Sequence, residues 1–468
     1  MTGKKKTIFF TLSTTAVYRN LLFFPGSVYD RLRRIVRERD DLCIVFLVPE
    51  KDFHKYAVLF GEDIADRMLL QPVSVSYPRT FLEKAFYFFY SYLIYTGTTK
   101  QLATLGVRPE EPPAGGVLKQ YLAPVKFLIA NTFGRWDTLR EYIVPWLYLG
   151  IFRSRPFLEL FSKYNPDLVF ISHLYGRLDT ELLAEAKRQR TPAIGMVANW
   201  DHLDKYYLPF KTDKLLVQSE QLKNFAVRFQ HYPAERAVLT GYPYFDFISN
   251  GSYAKPREET LKDLGFPPDS KYILYVSGSA YCPDEPDIIE TILQWMAEGR
   301  FGGEVRLVIR PYLGGRAKDR EFDEEKYNRF ENHPLATFYR KEFWGDMDKS
   351  IQFMNIIRHA ASIISIYSTI VIEAAVLDRP LVGIGFDGYK KRSLQKSINR
   401  FAMREHFRDV LESGGLRTAH SFDELFLILD SYLKNPSLDS EGRERLRRRV
   451  CGSLNNGSSE RIISAILD

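Results

Sequence analysis

At 468 residues, with 45% hydrophobic and 26% charged side chains, the chain has the composition of a soluble globular protein too long for one core, which excludes disorder and predicts two domains. Its net charge of +7 is a mild basic excess that suits an anionic substrate or an anionic membrane surface, and no nucleic-acid-reading motif is present. Cys43, Cys282 and Cys451 are too few and too far apart for a disulfide framework or a zinc site, and they point to a reducing, cytoplasmic location.

The basic N-terminus leads into an apolar run broken by Ser13, Thr14, Thr15 and Arg19, which reads as a strand and turn rather than a signal peptide. Thr7 to Leu12 predicts a strand, Val28 to Arg39 a helix, and Leu42 to Val48 a buried strand, so the chain begins as α/β. From Tyr77 to Phe161 the alternation stops. Aromatic and basic residues interleave there, as in Phe81, Lys84, Phe86, Tyr90, Lys126, Trp136, Tyr142 and Trp146, with no run long enough to span a membrane. This segment is expected to be a helical insertion packed on the sheet, with one face as a candidate for the headgroup layer.

The α/β pattern resumes with the strand Asp167 to Ser172, which ends at His173, and the strand Ala193 to Val197, which is followed by Asp201 and His202. Ligands of open parallel sheets bind at the carboxyl ends of strands, so these side chains are offered to one crevice. The polar stretch Asn250 to Arg257 marks a linker. Beyond it, the strand Tyr272 to Val276 ends in Ser277, Gly278 and Ser279, small residues that let a ligand approach the backbone, and the strand Val305 to Ile309 presents Arg310, suited to phosphate.

The stretch from Ala360 to Gly388 carries the strongest functional signal. Ser362 to Ile366 predicts a buried strand, and Ser365, Tyr367, Ser368 and Thr369 gather hydroxyls at the start of a helix, where free N–H groups and the dipole attract an anion. With Ser368 as N-cap, the third helical position is Val371, so Glu373 has no capping duty and is a candidate to bind ribose hydroxyls. Gly383, Gly385 and Gly388 imitate a dinucleotide fingerprint, but the basic loop Tyr389 to Arg392 follows instead of a helix, which rejects NAD.

In order, Arg19-Asn20, Asn199 to His202, Thr240 to Asp246, Ile309 to Pro311, Ser368 to Ala374 and Asn456 to Ile462 resemble the motifs of GT-B glycosyltransferases. The narrower resemblance is to the surface-polysaccharide biosynthesis group related to CDP-glycerol glycerophosphotransferases and UDP-sugar 2-epimerases. The resemblance implies an α/β fold of two Rossmann-like domains facing across a cleft. The first, 1–248, would hold the acceptor and carry the insertion at about 77–161; the second, 259–440, would hold the nucleotide donor, with a helical tail at 441–468.

It also implies an inverting transfer from a nucleotide sugar to a surface-glycan or lipid-linked acceptor, with no metal in the chemistry and no cofactor beyond the co-substrate. The base is Asp201 or His173. Ser277, Gly278, Ser279, Arg310, Ser365, Tyr367, Ser368, Thr369 and Glu373 would bind the donor, and Ser13, Arg19, Asn20 and His202 the acceptor. The location would be cytoplasmic, with docking at the inner face of the membrane. Two departures, Asn199 to His202 in place of a His-Gly pair and Tyr312 in place of a His, favour sugar over phosphoglycerol transfer. A CDP-glycerol glycerophosphotransferase or a UDP-sugar 2-epimerase on the same fold is the alternative, and a non-catalytic nucleotide-binding protein a further one.

Overall fold

The computed structural model describes residues 5–14, 17, 21, 24–64, 66–76, 78–104, 117–249, 251–278, 282–312, 321, 325–340, 346–394 and 396–468, with backbone alone at 102–104, 117–121 and 123. The chain forms two compact units, one of residues 1–99, 125–247 and 452–468, the other of 100–124 and 248–451.

The first unit holds a seven-stranded parallel sheet. Its strands are β1 (Lys6–Thr11), β2 (Leu42–Pro49), β3 (Met68–Val73), β4 (Leu168–Ile171), β5 (Ala193–Met196), β6 (Lys214–Val217) and β7 (Ala237–Leu239), in the order β3-β2-β1-β4-β5-β6-β7. Strands covered on both faces need uninterrupted apolar runs, and β2 and β4 supply them as LCIVFLV and LVFI, all buried. The sheet order turns between β1 and β4, which pair in parallel from Ile8 with Leu168 to Phe10 with Phe170.

Among the described residues, 77–161 contain helices and no strand, as expected of an insertion. Its aromatics divide in two. Phe86, Tyr90, Tyr148 and Phe152 are buried and share ring contacts, with Tyr148 and Phe152 at 4.5 Å. They lie beside the helix Arg177–Gln189, where Tyr148 donates to Glu181 (2.9 Å) and Arg155 grips Glu185 through Nε (2.9 Å) and Nη2 (2.5 Å). This explains why Leu178 through Ala186 is buried without interruption. Full burial of each ring is worth about 1.5–3 kcal/mol. Trp136, Tyr142 and Trp146 instead remain 51%, 73% and 72% exposed.

The C-terminal helix, Ser458–Leu467, belongs to the first unit and packs on the helix Val28–Glu38. Two stretches that carried the resemblance meet here: the Ser458 amide donates to Asp246 (2.7 Å), Arg461 Nε donates to the Thr240 carbonyl (2.8 Å), and a side chain at Gly241 would collide with Ser458. Thr240 to Asp246 and Asn456 to Ile462 thus form a structural clasp. The expected separate tail at 441–468 splits accordingly, with 441–451 staying in the second unit.

The second unit repeats the plan. Its six parallel strands, β8 (Lys271–Val276), β9 (Val305–Arg310), β10 (Ala336–Phe338), β11 (Ser362–Ser365), β12 (Leu381–Ile384) and β13 (Leu416–Ala419), run in the order β10-β9-β8-β11-β12-β13. Cys43, Cys282 and Cys451 are buried and form no disulfide.

Candidate active site

In an open parallel sheet the place for a ligand is outside the carboxyl ends of the strands, where the strand order reverses. In the first unit that point lies at the ends of β1 and β4. The Ser172 amide donates to Thr11 Oγ1 (3.0 Å), Ser172 Oγ donates to the Thr11 carbonyl (2.5 Å), and Thr11 Oγ1 donates to Asp179 Oδ1 (2.9 Å). Asp179, in the first turn of the helix Arg177–Gln189, is fully buried, and its other oxygen stands 3.6 Å from His173 Nδ1.

Gly176 makes this approach possible, because a Cβ there would lie 2.7 Å from Asp179 Oδ2 and 3.4 Å from His173 Nδ1. A buried carboxylate fixed by a hydroxyl and facing an imidazole nitrogen is the arrangement that orients a general base and stabilises its protonated form. The sequence reading named His173 and missed Asp179, Thr11 and Gly176. The missed signal was an acid six residues beyond a strand-end histidine, with a glycine between them.

His202 does join His173, through Tyr175. The His173 and Tyr175 rings are 4.0 Å apart, and the two histidine rings 5.4 Å. The Tyr175 hydroxyl is hydrogen-bonded to His202 Nε2 (2.5 Å); burial, with Tyr206 and Asp201 nearby, pushes its pKa up, so the phenol stays protonated. Asp201 stands 3.5 Å from Lys205 Nζ and 3.6 Å from His202 Nε2, an ion-paired setting less suited to taking a proton than that of His173. Ser13, just past β1, has its hydroxyl buried and unbonded among the described residues. Arg19 and Asn20 lie outside the described residues.

The equivalent point of the second unit is the pair of ends of β8 and β11. Glu285, fully buried, accepts from the Gly278 amide (2.8 Å), Ser277 Oγ (3.1 Å), Tyr327 (2.9 Å) and Lys326 (2.6 Å). The Ser277 side chain therefore anchors the loop, while Gly278 lets the loop close on Ile366, which a Cβ would meet at 3.0 Å. Ser279 lies outside the described residues.

At the end of β11, Ser365 is buried with no bond to its hydroxyl among the described residues, and Tyr367 takes a left-handed φ of 42°. That backbone turns the Tyr367 ring onto Phe407 (5.3 Å) and its hydroxyl to Asn399 (3.2 Å), with its pKa pushed up to about 12 by burial. The Tyr367 side chain thus packs within its own unit. The turn also delays the helix. It spans Ile370–Val376, its N-cap is Thr369 rather than Ser368, and the Ser368 hydroxyl lies 3.5 Å from the Ile370 amide. Glu373 is 5% exposed on this wholly buried helix, so its side chain does not reach out to bulk solvent.

Arg310 ends β9 with its guanidinium 4.5 Å from the Phe353 ring centroid. The basic loop beyond β12 is committed to structure: Arg392 grips Asp284 through Nε (2.8 Å) and Nη2 (3.0 Å), both side chains are buried, and Asp287 fills the space a side chain at Gly388 would need. The loop and its glycine thus serve packing, in keeping with the rejection of NAD. Among the described residues no group of three or more His, Cys, Asp or Glu is placed to hold a metal ion.

No protein-family model matches the sequence. No curated protein matches it either. Solved structures do resemble it. The UDP-GlcNAc 2-epimerase from Methanocaldococcus jannaschii aligns over 98% of this chain and 99% of its own at 11% identity and a TM-score of 0.52. The UDP-GlcNAc 2-epimerase from Neisseria meningitidis, bound to UDP-GlcNAc, covers 98% and 99% at 11% identity and 0.51. A glycosyltransferase from Rickettsia africae ESF-5 covers 99% of each chain at 10% identity and 0.50. At such identities the likeness speaks for the fold. Together with two parallel sheets of the same strand order, it shows that the chain has the α/β, two-unit GT-B glycosyltransferase-like fold.

Proposed function

We propose that this chain is a glycosyltransferase that moves a sugar from a nucleotide-sugar donor to a surface-glycan or lipid-linked acceptor. The observation that carries the reading is His173, held against the buried Asp179 at the point of the first sheet where a ligand belongs. With Nδ1 facing Asp179, His173 presents Nε2 to an acceptor hydroxyl. Nε2 takes the hydroxyl proton, the acceptor oxygen bonds to the anomeric carbon, and the bond from that carbon to the nucleotide diphosphate breaks, with inversion. The donor belongs to the second unit, where Gly278, Ser365, Ser368, Thr369, Arg310 and Glu373 gather around the ends of β8, β9 and β11. The chemistry needs no metal in this reading.

The likeness to structures of UDP-GlcNAc 2-epimerases and of a glycosyltransferase supports a nucleotide-sugar substrate. The acceptor's lipid carrier is supported by the exposed aromatics of the insertion, Trp136, Tyr142 and Trp146, with the exposed Arg153 close in sequence, which suit the headgroup layer of an anionic membrane. No described helix is long and apolar enough to cross a membrane.

The test is incubation with UDP-, dTDP-, GDP-, CDP- and CMP-linked sugars and CDP-glycerol, following nucleotide release and sugar epimerisation. Release of nucleotide in the presence of a glycan acceptor, unchanged by EDTA, is expected. Epimerised UDP-GlcNAc without release would move the chain to the 2-epimerases, and loss of activity to EDTA restored by Mg²⁺ would overturn the metal-free step.

A further inference from the structure

A pocket of about 280 Å³ lies among the helices of the first unit, close to the lower end of the range of about 300–1,000 Å³ for ligand sites. Tyr95, Arg135, Asp137, Arg140, Arg228 and His231 line it. None of these is at the carboxyl ends of β1 or β4.

Arg140 is the unusual member. It is 5% exposed, yet no carboxylate oxygen among the described residues lies within salt-bridge distance of its guanidinium. Its Nη1 is 3.2 Å from His231 Nε2, its Nη2 donates to the Phe229 carbonyl, and its Nε is buried without a partner. Because Arg140 can only donate, His231 Nε2 accepts and the ring proton sits on Nδ1, which faces Glu141 (3.4 Å) and Asp137 (3.6 Å). Glu141 is in turn paired with Lys211. A buried guanidinium without an anion is costly, and burial pulls the pKa of Arg140 down.

The rim adds charge of the same sign. Arg135, over the Tyr95 ring at 4.2 Å, and Arg228, over Phe229 at 4.9 Å, come from different turns of the chain and are exposed. The acid of the lining is Asp137, whose side chain is 72% exposed and can turn to solvent. The Phe229 carbonyl, at the negative end of the helix Glu220–Gln230, would repel an anion, but Arg140 Nη2 already covers it. A carboxylate is satisfied by one guanidinium fork; cations converging from several directions suit a tetrahedral group with oxygens on every side.

We propose that this pocket is a second binding site, for a phosphate group, with Arg140 at its base and Arg135 and Arg228 at its mouth. The phosphate can come from a phospholipid headgroup, since Phe133 and Trp136, 41% and 51% exposed, flank the mouth in sequence, or from a free phosphorylated molecule. The proposal does not rest on the glycosyltransferase reading.

The test uses the full chain and two probes, titration calorimetry with glycerol 1-phosphate and flotation with phosphatidylcholine vesicles with and without phosphatidylglycerol. Saturable glycerol 1-phosphate binding is expected in the wild type and is weakened about tenfold or more in the double variant Arg135→Ala, Arg228→Ala, whose exposed positions leave folding intact, and in Arg140→Lys. If that double variant also loses flotation with phosphatidylglycerol, the ligand is the headgroup; if flotation is unchanged while glycerol 1-phosphate affinity falls, it is a free phosphate ester. Equal behaviour of wild type and both variants with both probes, or no binding of either, overturns the site. Trp136→Ser with Trp146→Ser separates this from membrane docking, because it should leave glycerol 1-phosphate affinity in solution unchanged.

Discussion

The two units share a strand order, and in each the order reverses at the carboxyl ends of the central pair, β1 with β4 and β8 with β11. What stands at those ends differs. The first unit places titratable groups there, His173 on the buried Asp179, with Tyr175 and His202 packed beside them. The second places small residues and hydroxyls, Gly278, Ser365, Ser368 and Thr369, and braces the loop from beneath with the buried Glu285. The same strand order, over seven strands in one unit and six in the other, thus carries titratable side chains at one reversal point and small residues and hydroxyls at the other. Sheet order chooses the place, and the residues that follow each strand choose what stands there.

The largest effect should come from removing the titratable side of that comparison. His173→Ala is expected to lower turnover by about 10²–10⁴-fold while nucleotide binding, measured by calorimetry, stays the same. Within the second unit, the strongest stability effect belongs to the ion pair that claims the basic loop. Arg392→Ala should cost about 2–3 kcal/mol in urea unfolding, because it removes the bidentate partner of the buried Asp284 and leaves that carboxylate with Lys390 (3.1 Å), with nucleotide affinity unchanged. An affinity loss without a stability loss would instead return Arg392 to the ligand.

Glu373→Gln keeps the volume of a side chain packed in the helix Ile370–Val376 and should weaken nucleotide binding by about 1–3 kcal/mol with the fold intact. Collapse of stability with affinity preserved would make Glu373 structural and narrow the ligand side of the comparison to hydroxyls and backbone. A smaller effect is expected of Asp179→Asn. Loss of the charge that faces His173 Nδ1 should reduce turnover about tenfold with nucleotide binding unchanged. Unchanged turnover would assign Asp179 to packing alone. Smallest of all, Trp136→Ser with Trp146→Ser should change stability by less than about 0.5 kcal/mol but abolish flotation with anionic vesicles.

How legible these features were in the sequence depends on burial. Central strands announce themselves, since β2, β4 and β11 are buried at nearly every position. The edge strands β3, β10 and β13 were not anticipated: Met68–Val73 alternates and contains an exposed Pro72, Ala336–Phe338 is half-buried throughout, and Leu416–Ala419 carries a half-buried Arg417 and Thr418. A strand with one free edge keeps fewer apolar residues and loses the signal.

Site residues follow the same logic. His173 was legible because a histidine at the end of an apolar strand is conspicuous. Asp179 was hidden, because an acid in a first helical turn has an ordinary explanation in the dipole, and only the fold shows that it faces His173 instead. The late start of the helix Ile370–Val376 was equally unreadable, since it follows from a left-handed Tyr367, a conformation its residue type does not advertise.

The central claim is that the two reversal points divide the work, binding on one unit and proton transfer on the other. Its most direct test is a paired measurement of nucleotide affinity and turnover on wild type, His173→Ala and Glu373→Gln with the nucleotide sugar that the wild type uses. The account predicts that His173→Ala binds nucleotide as tightly as wild type and turns over about 10²–10⁴-fold more slowly, while Glu373→Gln binds more weakly. Turnover of His173→Ala within a few fold of wild type would contradict it.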